Sequence, residues 1–304
     1  MTADTDPIGR DPDDYDPVDP VDDATLALLL EVAGTPKPGN VDRRRDLGDL
    51  RFESFLGGTV GARRGLELAA DREVPLGRAF ELGVAGMADR AGTNTQFGCL
   101  LLLTPLLRAT AEGDLSPAGV DRVTRETTVT DAVSFYRAFE HVDVSVAEPP
   151  DDADDLDVRR GRDAAPALRD RNATLRDVMA LSAAPTDPDR IPDRNAQEWV
   201  EGFPRAFRAA EWIRTDEGPL TDRAARVFLG LLSTEPDTLV AANHGPETAR
   251  EASSRAAALV GRAVGDEIDA DAVHAVDLAA AEALAESFVA EGINPGTTAD
   301  LTCA

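Results

Sequence analysis

Lysine is nearly missing from this chain: of its 31 basic side chains, Lys37 alone is not an arginine. Histidine is scarce as well, and His141, His244 and His274 lie too far apart in sequence to suggest a histidine-rich metal site. The two cysteines, Cys99 in an apolar run and Cys303 next to the last residue, have neither the number for a disulfide framework nor the spacing for zinc. Long apolar runs are absent too. The longest, "FGCLLLLTPLL", is interrupted by Pro105 and falls short of the roughly 20 residues that cross a bilayer. The N-terminus lacks the basic start and apolar core of a secretory signal. A soluble, cytoplasmic protein is expected. No Walker A loop, GxGxxG turn, HExxH or GxSxG motif occurs, which removes the commonest nucleotide and hydrolase signatures.

Acid is what the chain has in excess. Fifty-seven Asp and Glu residues set against 31 Lys and Arg give a formal charge of −26 over 304 residues, mostly through aspartate spread along the whole length. Such a field repels nucleic acid and anionic membranes, so the expected partners are small molecules. A small polyanion would need a locally positive pocket. The composition points to a halophilic origin, where molar salt screens surface repulsion over roughly 3 Å.

Residues 1–21, rich in Asp and Pro, hold too little apolar mass to offset the entropy of ordering and are expected to be a disordered acidic leader. From residue 22 to 304 the apolar spacing is helical, which predicts one all-α multi-helix bundle domain. Helices are expected at 22–34, 52–71, 76–90, 95–112, 117–139, 173–184, 196–215, 219–233, 246–264 and 269–291. Ser116-Pro117 reads as an N-cap with proline at the first helical position, and Gly292 as a helix end. The stretch 142–173 reads as a long charged loop with room for a short strand. Gly57, Gly61 and Gly65 recur on one helical face, which suits close approach of a neighbouring helix, or less readily a ligand.

Three polar clusters stand out from the apolar background. In "GTPKPGNVDRRRDLGDLRFESF", Pro36 and Pro38 hold Lys37 on a stiff strut beside the Gly39-Asn40 turn, an arrangement suited to phosphate. Asp49 and Glu53 share a face if a helix has already begun there, and could bind magnesium or act as base and stabiliser. The same residues also read as a helix stop, a turn and a solvated acidic face. In "AGTNTQFG", Thr93, Asn94 and Thr95 precede an apolar helix, fitting either N-capping or anion binding. In "GINPGTTADLTCA", Asn294, Gly296 and Asp300 belong to a polar turn that either frays or returns to a site.

Taken in order, these clusters resemble the triphosphoribosyl-dephospho-CoA synthase family. "EVAGTPKPGNVDR" is similar to its Pro-Lys-Pro-Gly signature, "GDLRFESF" to its acidic segment and "GTNTQFG" to its Gly-x-Asn-Thr turn. "TLRDVMALSA", "NAQEWVEGFPRAF", "DTLVAANHG" and "NPGTTADL" complete the pattern over nearly all of the chain after the leader. The resemblance implies an all-α transferase that moves a triphosphoribosyl group from ATP to dephospho-CoA and releases adenine, with Mg²⁺ expected. It implies Asp49 and Glu53 as catalytic residues and Asp49 and Asp300 as metal ligands. Lys37, Gly39, Asn40, Asn94, Thr95, Asn294 and Gly296 would bind ATP and its phosphates. The sequence leaves room for a homodimer.

Two segments depart from the citrate-lyase branch of the family. Leu47 stands where that branch has histidine, and Gln96-Phe97 where it has His-Lys. The chain is closer to an archaeal and methylotroph branch whose members occur with pterin-cofactor genes. A related phosphoribosyl transfer in pterin-type cofactor assembly is therefore a second reading, and a non-catalytic nucleotide-binding helical protein a third.

Overall fold

The computed structural model describes residues 19–304 apart from 49, 147, 148, 150–152, 186, 188 and 267. Most of the expected leader thus lies outside the described residues. Its last positions instead open helix α1 (Pro20–Ala33), where Asp19 accepts a hydrogen bond from the Val21 N–H at 2.9 Å and Pro20 takes the first helical position. Among the described residues there are helices and no strands, only isolated bridges between Asp42 and Arg45 and between Leu47 and Leu50.

Helices α2 (Phe52–Ala70), α3 (Leu76–Ala91) and α4 (Phe97–Ala111) follow the expected spacing. The glycine stripe of α2 meets α3. A Cβ at Gly61 would lie 2.0 Å from the Gly86 carbonyl oxygen, and one at Gly65 2.3 Å from the Gly83 Cα, so the two backbones touch where a larger residue would part them. Helix α4 runs through the core with twelve of its fifteen residues buried. Pro105 within it has no N–H to offer the Leu101 carbonyl one turn back. That carbonyl instead accepts from the Trp199 indole Nε1–H at 3.2 Å, so a defect in one helix becomes the docking point of another. Arg108, also on α4, donates to the carbonyls of Ala69, Asp71 and Val74 at 2.7–2.8 Å and closes the C-terminal end of α2.

Several expected helices are divided. The 117–139 segment is α5 (Pro117–Arg125) and α6 (Val129–Ala138), because Thr128 and Asp131 form a reciprocal capping box that starts a new helix. The 196–215 segment breaks at Gly202 and Phe203, both with positive φ, into α9 (Arg194–Glu201) and α10 (Pro204–Thr215). The stretch expected as a loop at 142–173 contains 3₁₀ turns at 154–156 and 158–164 and helix α7 (Ala165–Asp170). It is pinned to the core by the Tyr136 hydroxyl, which donates to the Leu156 carbonyl at 2.5 Å. Helices α8 (Leu175–Ala183), α11 (Leu220–Thr234), α12 (Thr238–His244), α13 (Pro246–Val260), α14 (Ala270–His274) and α15 (Leu278–Glu291) complete the body before α16. The C-terminal segment, expected as a turn, is that helix, α16 (Gly296–Cys303), with six of its eight residues buried. Buried side chains from α1 through α16 form one continuous apolar cluster.

Candidate active site

The loop after α1 is organised by a residue that drew no attention in the sequence. Asp42, fully buried, accepts from the Thr35 hydroxyl at 2.8 Å, the Lys37 N–H at 3.2 Å, the Arg44 N–H at 2.8 Å and the Arg45 guanidinium at 2.8 Å. This folds the Pro-Lys-Pro-Gly strut inward. Lys37 is consequently 1 % exposed. Its ammonium pairs with the Glu31 carboxylate of α1 and donates to Asn40 Oδ1 at 3.1 Å. The lysine expected to face a phosphate lies behind the cavity wall, and Glu31 and Asn40 line the cavity in front of it. The Asn40 N–H closes the turn on the Lys37 carbonyl at 3.1 Å.

Gly39 brings the two ends of the chain together. Its φ is +72°, and a Cβ there would lie 1.8 Å from the Ile293 carbonyl oxygen, so no other residue fits. Next to it, Asn40 Nδ2 donates to Asn294 Oδ1 at 3.0 Å across 254 positions of sequence. Helix α16 is tied in a similar way: buried Asp237 caps α12 at the Val240 N–H (3.0 Å) and accepts from both the N–H and the hydroxyl of Thr298 at 2.7 Å.

These ties enclose a cavity of about 500 Å³. One side is apolar, with Phe97, Phe135, Phe139, Leu156, Val178 and Met179. Phe97 packs edge-on against Phe80 and Phe139, with ring centroids 5.0 and 4.9 Å apart. The other side is polar, with Glu31, Asn40, Asn94, Thr95, Cys99, Asn195, Asn243, Asn294 and Asp300. Asn94 Oδ1 accepts from the Phe97 N–H at 3.2 Å at the start of α4, and the residue lines the cavity.

Two carboxylates on the polar side sit in opposite surroundings. Glu31 is 3 % exposed and is held by the Lys37 ammonium and by Gln96 Nε2 at 3.3 Å, which also donates to the Leu28 carbonyl at 2.8 Å. Gln96 in turn accepts from the Thr59 hydroxyl at 3.0 Å. Asp300, on α16, is paired with no cation among the described residues. Asn195 Nδ2 donates to its Oδ2 at 2.9 Å and the Cys99 thiol to its Oδ1 at 3.3 Å. Enclosure by protein pushes its pKa up to about 7, and the negative charge of Glu31 adds to the rise. Burial also raises the Cys99 and Cys303 thiols, leaving them protonated and unreactive.

Among the sequence-predicted site residues, Asn40, Asn94, Thr95, Asn294, Gly296 and Asp300 line this cavity, while Lys37 and Gly39 lie behind it. Asp49 lies outside the described residues. Glu53 is exposed in the first turn of α2, 3.5 Å from Arg51, and is not among the residues that line the cavity. The expectation that Asp300 binds metal finds no donor set. Among the described residues, no group of three or more His, Cys, Asp or Glu side chains is placed to hold an ion. Glu31 and Asn195 were missed. Glu31 had a signal, because it lies seven positions after Ala24 and three after Leu28 on the buried face of α1, where an acid is costly unless paired. Among the described residues no helix is long and apolar enough to cross a membrane.

The family model described as CitG, ATP:dephospho-CoA triphosphoribosyl transferase, matches residues 19–304. A crystal structure of a candidate triphosphoribosyl-dephospho-CoA synthase from Archaeoglobus fulgidus superposes with a TM-score of 0.58 at 22 % identity, covering 81 % of this chain and 94 % of that one. This likeness shows the fold. No curated protein matches the sequence.

Proposed function

The chain belongs to the ATP:dephospho-CoA triphosphoribosyl transferase family, and from that premise we propose how its cavity carries out the transfer. Moving a triphosphoribosyl group from ATP to dephospho-CoA forms a bond between an acceptor hydroxyl oxygen and C1′ of ATP's ribose. It breaks the bond from C1′ to adenine N9, and adenine leaves. Positive charge develops on the ribose, the hydroxyl must lose a proton and the base must gain one. Glu31, paired with Lys37 and aimed by Gln96, stabilises the ribosyl cation and takes the hydroxyl proton. Asp300, protonated up to about neutral pH, gives a proton to the departing adenine.

Two carboxyl groups lining one cavity, Glu31 paired with the Lys37 ammonium and Asp300 pushed up to about 7 by burial, are the observation that supports this assignment. In this reading Lys37 is a positioning residue for Glu31 rather than a phosphate contact. Asn40, Asn94, Thr95, Asn294 and Gly296 offer hydrogen bonds along the donor nucleotide. The lining carries Glu31, Asp143, Asp157, Asp193 and Asp300 against one cation, Arg190, among the described residues. A bare triphosphate would be repelled there, so ATP would enter as its Mg²⁺ chelate, which would supply the charge that offsets the phosphates. The −26 charge would suit a salt-rich cytoplasm, where surface repulsion is screened.

The test is incubation of the protein with ATP, Mg²⁺ and dephospho-CoA in high salt, with adenine followed by chromatography. Adenine appearing only when dephospho-CoA is present, and lost in Glu31→Gln, is the expected result. Adenine released with another acceptor alone, or undiminished in Glu31→Gln, would overturn the reading.

A further inference from the structure

The amide of Asn195 has one half engaged and one half open. Nδ2 donates to Asp300 Oδ2 at 2.9 Å, while Oδ1 is buried with no partner among the described residues, in a residue that is 8 % exposed and lines the cavity. The amide cannot turn over to hide that oxygen, because Asp300 Oδ2 needs the donor where it is. Helix α4 fixes the pair from behind. A Cβ at Gly98 would lie 1.9 Å from Asp300 Oδ2 and 2.7 Å from Asn195 Nδ2, so only glycine lets α4 lie flush against both. A buried acceptor without a donor costs on the order of 1–3 kcal/mol, and here it is held at a cavity wall rather than inside the core. The missing donor is therefore a ligand's.

Asp300 specifies what lies beside that donor. Its Oδ2 is taken by Asn195, and its Oδ1 receives only the weak thiol donor of Cys99, so Oδ1 is the oxygen free to carry a proton. An acceptor next to a carboxylic O–H is complementary to a donor next to an acceptor. Adenine presents that pair on one edge, the exocyclic N6 amine beside ring nitrogen N7. Guanine and hypoxanthine present a carbonyl oxygen at position 6 and would set acceptor against acceptor.

We infer that Asn195 selects the leaving base, its Oδ1 accepting the exocyclic amine of adenine while Asp300, aligned by Asn195 Nδ2, meets N7. This rests on the reading that ATP is the donor and that Asp300 serves its adenine. Asn195 is the specificity residue, and its alignment of Asp300 couples choice of base to departure of the base.

The experiment compares binding of ATP, inosine triphosphate and 2′-deoxy-ATP, each with Mg²⁺, to wild type and Asn195→Ala by titration calorimetry, with release of free base measured in parallel. Wild type should prefer ATP over inosine triphosphate by roughly 10- to 100-fold. Asn195→Ala should narrow that ratio to about threefold or less with the circular dichroism spectrum unchanged, whereas a merely structural role would weaken both nucleotides alike. If the alanine variant does not fold, Asn195→Ser repeats the comparison. Equal affinity of wild type for the two bases, an unmoved ratio in the variant, or discrimination only against 2′-deoxy-ATP would overturn the inference. The two claims separate cleanly. A ratio that collapses while no base is released with dephospho-CoA keeps base selection and removes the transfer reading. Normal release with an unmoved ratio removes base selection alone.

Discussion

At the scale of residues, the single lysine is explained by the acid in front of it. Lys37 and Glu31 are both nearly inaccessible, and a buried ion pair contributes little net stability while the loss of one partner strands the other's charge. Lys37→Met should therefore lower stability by about 3–5 kcal/mol, and Glu31→Gln added to it should restore much of that loss. Denaturant titration of the two variants measures it. A single variant as stable as wild type, or a double variant worse than the single, would show that the pair is not coupled in this way. Arginine in place of Lys37 would bring a larger, forked head into a site where Asn40 and Glu31 already close around the ammonium. The Pro-Lys-Pro-Gly signature was legible as a stiff strut. Its inward direction was not, because it depends on Asp42, whose four hydrogen bonds are made only when the loop closes on itself.

At the scale of elements, most helices were legible from apolar spacing, and the failures share a cause. Splits at Thr128 and Phe203 come from caps and positive-φ residues inside an otherwise continuous apolar pattern. Helix α16 was read as a polar turn because "GTTADLTC" has little apolar content. Its order comes instead from hydrogen bonds to a distant partner, chiefly Asp237. Asp237→Ala removes the cap of α12 and leaves the buried Thr298 N–H without an acceptor, a cost of about 2–4 kcal/mol. Because α16 carries Asp300, the variant should lose adenine release even at temperatures where the remaining helices persist. Thermal unfolding followed by circular dichroism, alongside the chromatographic assay, tests this. A melting temperature within a degree or two of wild type would show that α16 is held by its apolar contacts alone.

At the scale of the whole molecule, three sequence clusters spread over some 260 positions meet at one cavity because Gly39 and Asn40 lie against Ile293 and Asn294. Among the described residues the cavity lining is strongly acidic, so the charge of a triphosphate would be offset chiefly by the ion that accompanies ATP. The central claim is that catalysis divides between Glu31, paired with Lys37, and a protonated Asp300. A carboxyl whose folded pKa is raised to about 7 keeps its proton below that pH and loses it as the pH rises through it. Its general-acid role is therefore present on the acidic side and lost on the alkaline side. The decisive measurement is the pH profile of dephospho-CoA-dependent adenine release in wild type and Asp300→Asn. The account predicts a wild-type rate that falls as the pH rises past about 7, and a variant slowed by roughly 10²- to 10⁴-fold that has lost this alkaline limb while still binding ATP. A variant with the wild-type rate, or with the same alkaline limb, would contradict it.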